Sequence, residues 1–180
     1  TTIWALRNLD AATLDPALLR AAIRIPDALE PAPGGVRLEI AWWRDGEENR
    51  KHEVKFALQE TSSPADTGPL AAERRPGARL HVYRVDPADL AAIRAVQARV
   101  QEEKARSGGH AHGKVGVGAD ACRRGEPGRG PLAMTTWLRI DARGDYLPVV
   151  VDLDLRSAVT AEKSFDQLVP PCAATVEKSG

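Results

Sequence analysis

Lys114-Val115-Gly116-Val117-Gly118-Ala119-Asp120-Ala121-Cys122 opens the segment, residues 113–156, on which the reading of the whole chain turns. A turn-forming run rich in Arg, Gly and Pro follows over 123–130, and an alternating strand over 131–140 places Leu132, Met134, Thr136, Leu138 and Ile140 on one face. Arg143-Gly144-Asp145 turns the chain again, and Leu147-Pro148-Val149-Val150-Val151-Asp152-Leu153-Asp154-Leu155 leaves as a very apolar strand. Three successive strands divided by turn residues predict an antiparallel meander at the centre of a sheet.

Working outward, residues 80–85 read as a strand. Asp86-Pro87 then supplies an N-cap oxygen and a first-turn proline, and Leu90, Ile93, Val96 and Val100 continue at helical spacing to the stop at Ser107-Gly108-Gly109. Upstream, residues 36–43 and 54–59 alternate as a hairpin, preceded by Pro31, Pro33, Gly34 and Gly35. Residues 3–8 read as a further strand. Asp15-Pro16 repeats the helix-start signal, with Leu18, Leu19, Ala22 and Ile23 as an apolar stripe.

Aligned on Asp15-Pro16 and Asp86-Pro87, the two halves each read strand, helix, hairpin. The expected architecture is therefore α+β: two β-α-β-β units related by internal duplication, plus a final strand at 147–155 that closes a mostly antiparallel sheet with two helices. The expected boundaries are 1–61 for the first unit, 62–78 for a polar linker, 79–156 for the second unit with its extra strand, and 157–180 for an irregular tail, all within one compact domain.

The composition bounds the function. The chain has 180 residues, 43% of them hydrophobic, which is enough for a core. Lys and Arg total 25 against 25 Asp and Glu, so no basic footprint for nucleic acid exists. No apolar run is long enough for a membrane span. A start at Thr1-Thr2-Ile3 without Met reads either as a removed leader, with a lipid anchor upstream of Thr1 as one form of it, or as a trimmed start. The 2 cysteines, Cys122 and Cys172, form no C-x-x-C pair. They read either as a disulfide pinning the tail to the sheet, which implies an oxidising compartment, or as two unpaired thiols.

Among candidate sites, His110-Ala111-His112 carries the strongest chemistry. Alternate residues of an extended chain point the same way, so both imidazoles could reach one zinc or copper ion, with Cys122, His52 or His81 as a third ligand where the fold allows. The rival reading is a solvated loop. Gly116-Val117-Gly118-Ala119-Asp120-Ala121 fits a degenerate dinucleotide pattern but lacks the helix that would hold pyrophosphate, so no nucleotide site is expected. Asp152 and Asp154, with Asp145, could form a calcium or acid/base group, but no carbonyl-rich loop accompanies them and the outward polar side of an edge strand accounts for them without such a role. Arg123, Arg124 and Arg129 read as a basic loop able to meet an anion or simply as a solvated turn.

Trp4, Trp43, Tyr83 and Trp137 fall on the face opposite the main apolar one, as a second small core or an interaction surface. No Ser-His-Asp order, G-x-S-x-G, H-E-x-x-H or P-loop occurs. The function expected from these features is a non-enzymatic, extracytoplasmic binding or accessory domain of a bacterial envelope assembly or lipoprotein, periplasmic or secreted, with a protein partner. The bacterial element rests on the Ala-, Arg- and Pro-rich composition. The alternative is a small metal-binding protein or metalloenzyme using His110 and His112.

Overall fold

A computed structural model describes residues 9–141, 144–159 and 162–172. The strand expected at residues 3–8, with Trp4, lies outside these. Seven strands follow in chain order: β1 (Arg20–Pro26), β2 (Leu29–Arg44), β3 (His52–Glu60), β4 (Ala78–Val85), β5 (Ala111–Arg123), β6 (Ala133–Arg139) and β7 (Leu147–Asp154). The helices are α1 (Pro64–Thr67), α2 (Leu90–Arg106) and α3 (Phe165–Leu168). The sheet runs β5-β2-β3-β4-β1-β6-β7 with every neighbouring pair antiparallel, and it curls into a half-barrel. The α+β class and the predominantly antiparallel sheet agree with the pattern in the sequence.

The β-α-β-β order is not repeated in the two halves. Asp15 does cap a turn, accepting from the Ala17 amide at 3.0 Å, but the turn ends there and the predicted helix is strand β1. The same apolar residues satisfy both periods: Leu19, Ala21, Ile23 and Ile25 alternate into the main core while Ala22 faces the other side. Seated between β4 and β6, β1 buries both faces, and its β-branched residues suit a strand better than a helix.

The meander is also revised. β6 and β7 pair as expected, but β5 pairs with β2 at the far end of the strand order, in register from Val36↔Ala119 to Arg44↔Ala111. Residues 124–132 are thus a crossing between sheet ends and not a hairpin turn. The expected break at Pro31 to Gly35 is absorbed as a bulge inside β2, where the register slips between Pro31 and Val36. A Cβ on Gly35 would stand 2.9 Å from the Ala32 carbonyl oxygen, so the bulge needs glycine there.

The main core lies inside the curl. Leu38, Ile40, Trp42, Val115 and Val117 meet Ile93 and Val100 of α2. The helix start at Asp86 is as read from the sequence: its carboxylate accepts from the Ala88 amide at 3.0 Å, and one 3-10 turn leads into α2. α2 sits so close to β5 that a Cβ on Gly113 would come within 2.7 Å of Val100 Cγ1 and 3.1 Å of Ala11 Cβ. Gly113→Val is therefore expected to lower stability by about 1–3 kcal/mol through overpacking, read from the urea midpoint. An unchanged midpoint would mean that α2 does not rest on β5.

The segment expected as a linker, 62–78, is structural. It lays α1 and a 3-10 turn (Gly68–Glu73) over the outer face of the sheet, where Leu70 joins Ala22, Val82, Trp137 and Tyr146 in a second, smaller core. Asp66, buried at 5% exposure, is its polar anchor. The carboxylate accepts from Arg20 Nε at 2.7 Å, Arg139 Nη2 at 3.0 Å and Thr61 Oγ1 at 3.0 Å, while the Tyr146 hydroxyl donates to its carbonyl at 2.8 Å. The Arg139 guanidinium also lies 4.8 Å from the centre of the Tyr146 ring.

β7 is an edge strand whose register slips twice against β6. The face expected from simple alternation is consequently broken. Val149, Val150 and Leu153 pack on the core, whereas Leu147 and Val151 are each 63% exposed. The chain then turns through Leu155–Ala158 and the capped α3, and Val169 is buried in the main core. The Arg123 amide donates to the Pro170 carbonyl and the Cys172 amide to the Arg123 carbonyl, both at 2.8 Å, so the tail pairs with the end of β5. There Cys122 and Cys172 form a disulfide with Cα atoms 4.8 Å apart, and no cysteine remains free. A segment leaving one edge of the half-barrel is thereby fastened to the other edge.

Candidate functional site

Three of the chain's 4 histidines gather at one end of the half-barrel, where β2 ends, β3 begins and β5 begins. Register places them: Trp42 is opposite His52, and Trp43 is opposite His112. Consecutive strand residues face opposite sides. Trp42 therefore turns into the core, stacks on His52 at 5.2 Å between ring centroids, and carries the Arg99 guanidinium at 5.7 Å. Trp43 turns outward and tilts against His112 at 5.7 Å.

Immediately after β2, Asp45 enters a tight turn with Gly46 at φ +76°, a conformation that glycine adopts without strain. The Asp45 amide donates to the His110 carbonyl at 2.8 Å, fixing the turn to the start of β5. Its carboxylate meets both imidazoles: Oδ2 lies 3.1 Å from His110 Nδ1, and Oδ1 contacts His112 Nε2. The hydrogen bond with His112, then that with His110, holds the Asp45 carboxyl below its ordinary range. All three side chains are open to solvent, at 51% exposure for Asp45, 75% for His110 and 50% for His112. Beside them, Arg44 Nε donates to Glu103 Oε2 at 3.0 Å, clamping α2 to this end. A cleft of about 160 Å³ lies between Trp42, Trp43, Arg50 and His52.

The other ligands considered for His110 and His112 are elsewhere. Cys122 is in the disulfide, His81 Nδ1 pairs with Glu60 Oε1 at 2.9 Å, and His52 is stacked on Trp42. Among the described residues, three potential ligand atoms already within 4.8 Å of one another occur at Glu30, Cys122 and Cys172, where both sulfurs are bonded to each other. Asp45 is the partner that the sequence did not reveal. The pairing of β2 with β5 that carries it to the histidines is non-local and leaves no mark in the sequence around Asp45.

The remaining candidates have structural partners. Asp154 accepts from the Leu132 and Arg156 amides at 3.0 Å each, and Asp152 Oδ1 is 3.3 Å from Thr135 Oγ1 and 3.8 Å from Arg24 Nη2. Asp145 is exposed in the preceding loop. Arg123 donates to the Val169 carbonyl at 2.8 Å and pairs with Asp166 at 3.3 Å, while Arg124 pairs with Glu30 at 2.8 Å. Arg123 thus fastens the tail, and Arg124 fastens the chain after β5 to β2; Arg129 is exposed. Gly116 and Gly118 lie within β5, which no helix follows directly. Tyr83 is buried in the main core and Trp137 in the outer one, so the two do not share a surface with Trp43. Trp4 is outside the described residues.

No protein-family model, no curated protein and no solved structure matches this chain. Fold and site define a class only: a mostly antiparallel α+β half-barrel closed by a disulfide, with an exposed Asp-His-His group beside Trp43. Among the described residues, no helix is long and apolar enough to cross a membrane.

Proposed function

We propose that this chain is a non-enzymatic binding domain of a bacterial envelope assembly, working in an oxidising compartment outside the cytoplasm. The observation that carries the reading is the disulfide between Cys122 and Cys172, which holds the tail on β5 next to the buried Val169. A bond on which a core residue depends suits a compartment where thiols stay oxidised. Trp43, half-exposed beside His112 and the Arg44–Glu103 pair, offers the amphipathic kind of contact that protein partners use. Trapping thiols with a maleimide reagent in intact source cells tests the compartment. The expected result is a protein unlabelled until it is reduced and denatured; two thiols labelled on denaturation without reductant would sink the proposal.

A further inference from the structure

We infer that Asp45, His110 and His112 form a binding site for one divalent transition-metal ion, zinc or copper(II), at the open end of the half-barrel. The site goes beyond the proposed binding role and does not depend on it. Three features place the ligands. His110 and His112 flank Ala111 at the start of β5, so both rings project to the same side of an extended backbone. The Asp45 amide donates to the His110 carbonyl at 2.8 Å, which ties the carboxylate-bearing turn to that backbone. The carboxylate then stands between the rings, one oxygen 3.1 Å from His110 Nδ1 and the other in contact with His112 Nε2.

Two imidazoles and one carboxylate are borderline donors, matched to zinc and copper(II). Calcium and magnesium want six or more oxygens or a largely retained water shell, which this corner does not supply. Three protein ligands leave the remaining positions to water, and side chains 50–75% exposed leave room for it. The three donor atoms do not yet lie within 4.8 Å of one another, so metal entry requires small rotations about the exposed side-chain bonds. Such rotations are cheap where no packing opposes them. On entry the ion replaces the protons through which His110 Nδ1 and His112 Nε2 meet the Asp45 carboxylate: a neutral ring moves its proton to the other nitrogen through water, and a protonated ring releases one proton to solvent. Exposed histidine–carboxylate pairs contribute little to folding, so substitutions here leave the fold intact.

The test is titration of the tag-free, disulfide-bonded chain with zinc chloride and, separately, copper chloride, followed by calorimetry and by tryptophan fluorescence. One ion per chain is expected. Asp45→Ala, His110→Ala and His112→Ala should each weaken binding at least tenfold, while His81→Ala leaves it unchanged. Copper should quench fluorescence in the wild type and quench it less in Trp43→Phe, because Trp43 is the indole beside His112. Circular dichroism checks that each variant is folded. Absence of stoichiometric uptake by the wild type overturns the inference, and so does uptake that Asp45→Ala leaves unaltered. The titration uses the disulfide-bonded chain, whose sulfurs are closed to metal, so its failure leaves the compartment reading untouched and failure of the thiol-trapping result leaves this site untouched.

Discussion

Replacing Asp66 by alanine is expected to destabilise the protein by about 3–5 kcal/mol, since it leaves two buried or half-buried guanidinium groups without their shared counter-charge. Arg139 is only 9% exposed and Arg20 18%, so neither reaches water freely once Asp66 is gone. The same residue sets an acid limit. Burial alone would raise the Asp66 carboxyl, but hydrogen bonds from Arg20 and Thr61, with the charges of Arg20 and Arg139, outweigh it and hold the group below its ordinary value of 3.8. A folded value below the unfolded one means that the stabilisation is fully present above the ordinary carboxylate range. It is lost as pH falls through that range to the folded value. Urea midpoints at pH 7 and about pH 3 should therefore show a wide gap between wild type and Asp66→Ala at neutrality and a narrower one in acid. Equal gaps at both pH values would show that the carboxylate charge is not what the arginines require.

Reduction of the disulfide should have the second-largest effect. Cys122 and Cys172 are separated by 50 positions, and the chain-entropy account gives roughly 4 kcal/mol for a cross-link closing a loop of that size. For a chain of this length that corresponds to a fall in melting temperature of roughly 10 °C. Scanning calorimetry of the oxidised protein, the reduced protein and the Cys122→Ser/Cys172→Ser double variant measures it. The two altered forms should melt together and below the native one. Three coincident melting temperatures would mean that the tail is held by Val169 and the Arg123 hydrogen bonds alone.

Local pattern identified most of the strands and the long helix because their signals are local. The alternation of Val36, Leu38, Ile40 and Trp42 survives as the buried face of β2, and Asp86-Pro87 does start the turn into α2. The failures are places where a local signal was ambiguous and a distant partner decided. Leu19 to Ile25 satisfies both a helical and an alternating period, and only the flanking β4 and β6 make it a strand. β5 and β6 are successive strands with turn residues between them, yet β5, 13 residues long, pairs with β2 and not with β6. Of the candidate site, His110, His112 and Trp43 were legible as residue types. Their meeting with Asp45 was not, because it follows from that same non-local pairing. The Cys122–Cys172 pair was legible as one of two outcomes, and the tail hydrogen bonds at Arg123 supply the geometry.

The irregular β7 has a consequence for behaviour in concentrated solution. An outermost strand that shows Leu147 and Val151 to water would ordinarily invite another chain to add itself to the sheet. Pro148 withholds one backbone donor from any such newcomer, and Asp152, at φ 49°, breaks the straight run that an added strand would have to follow. The two slips against β6 twist the edge further from a flat template. The backbone of this edge thus works against strand addition, and a variant that straightens it, such as Pro148→Val with Asp152→Val, is expected to form fibres at concentrations where the wild type stays clear, read by thioflavin fluorescence.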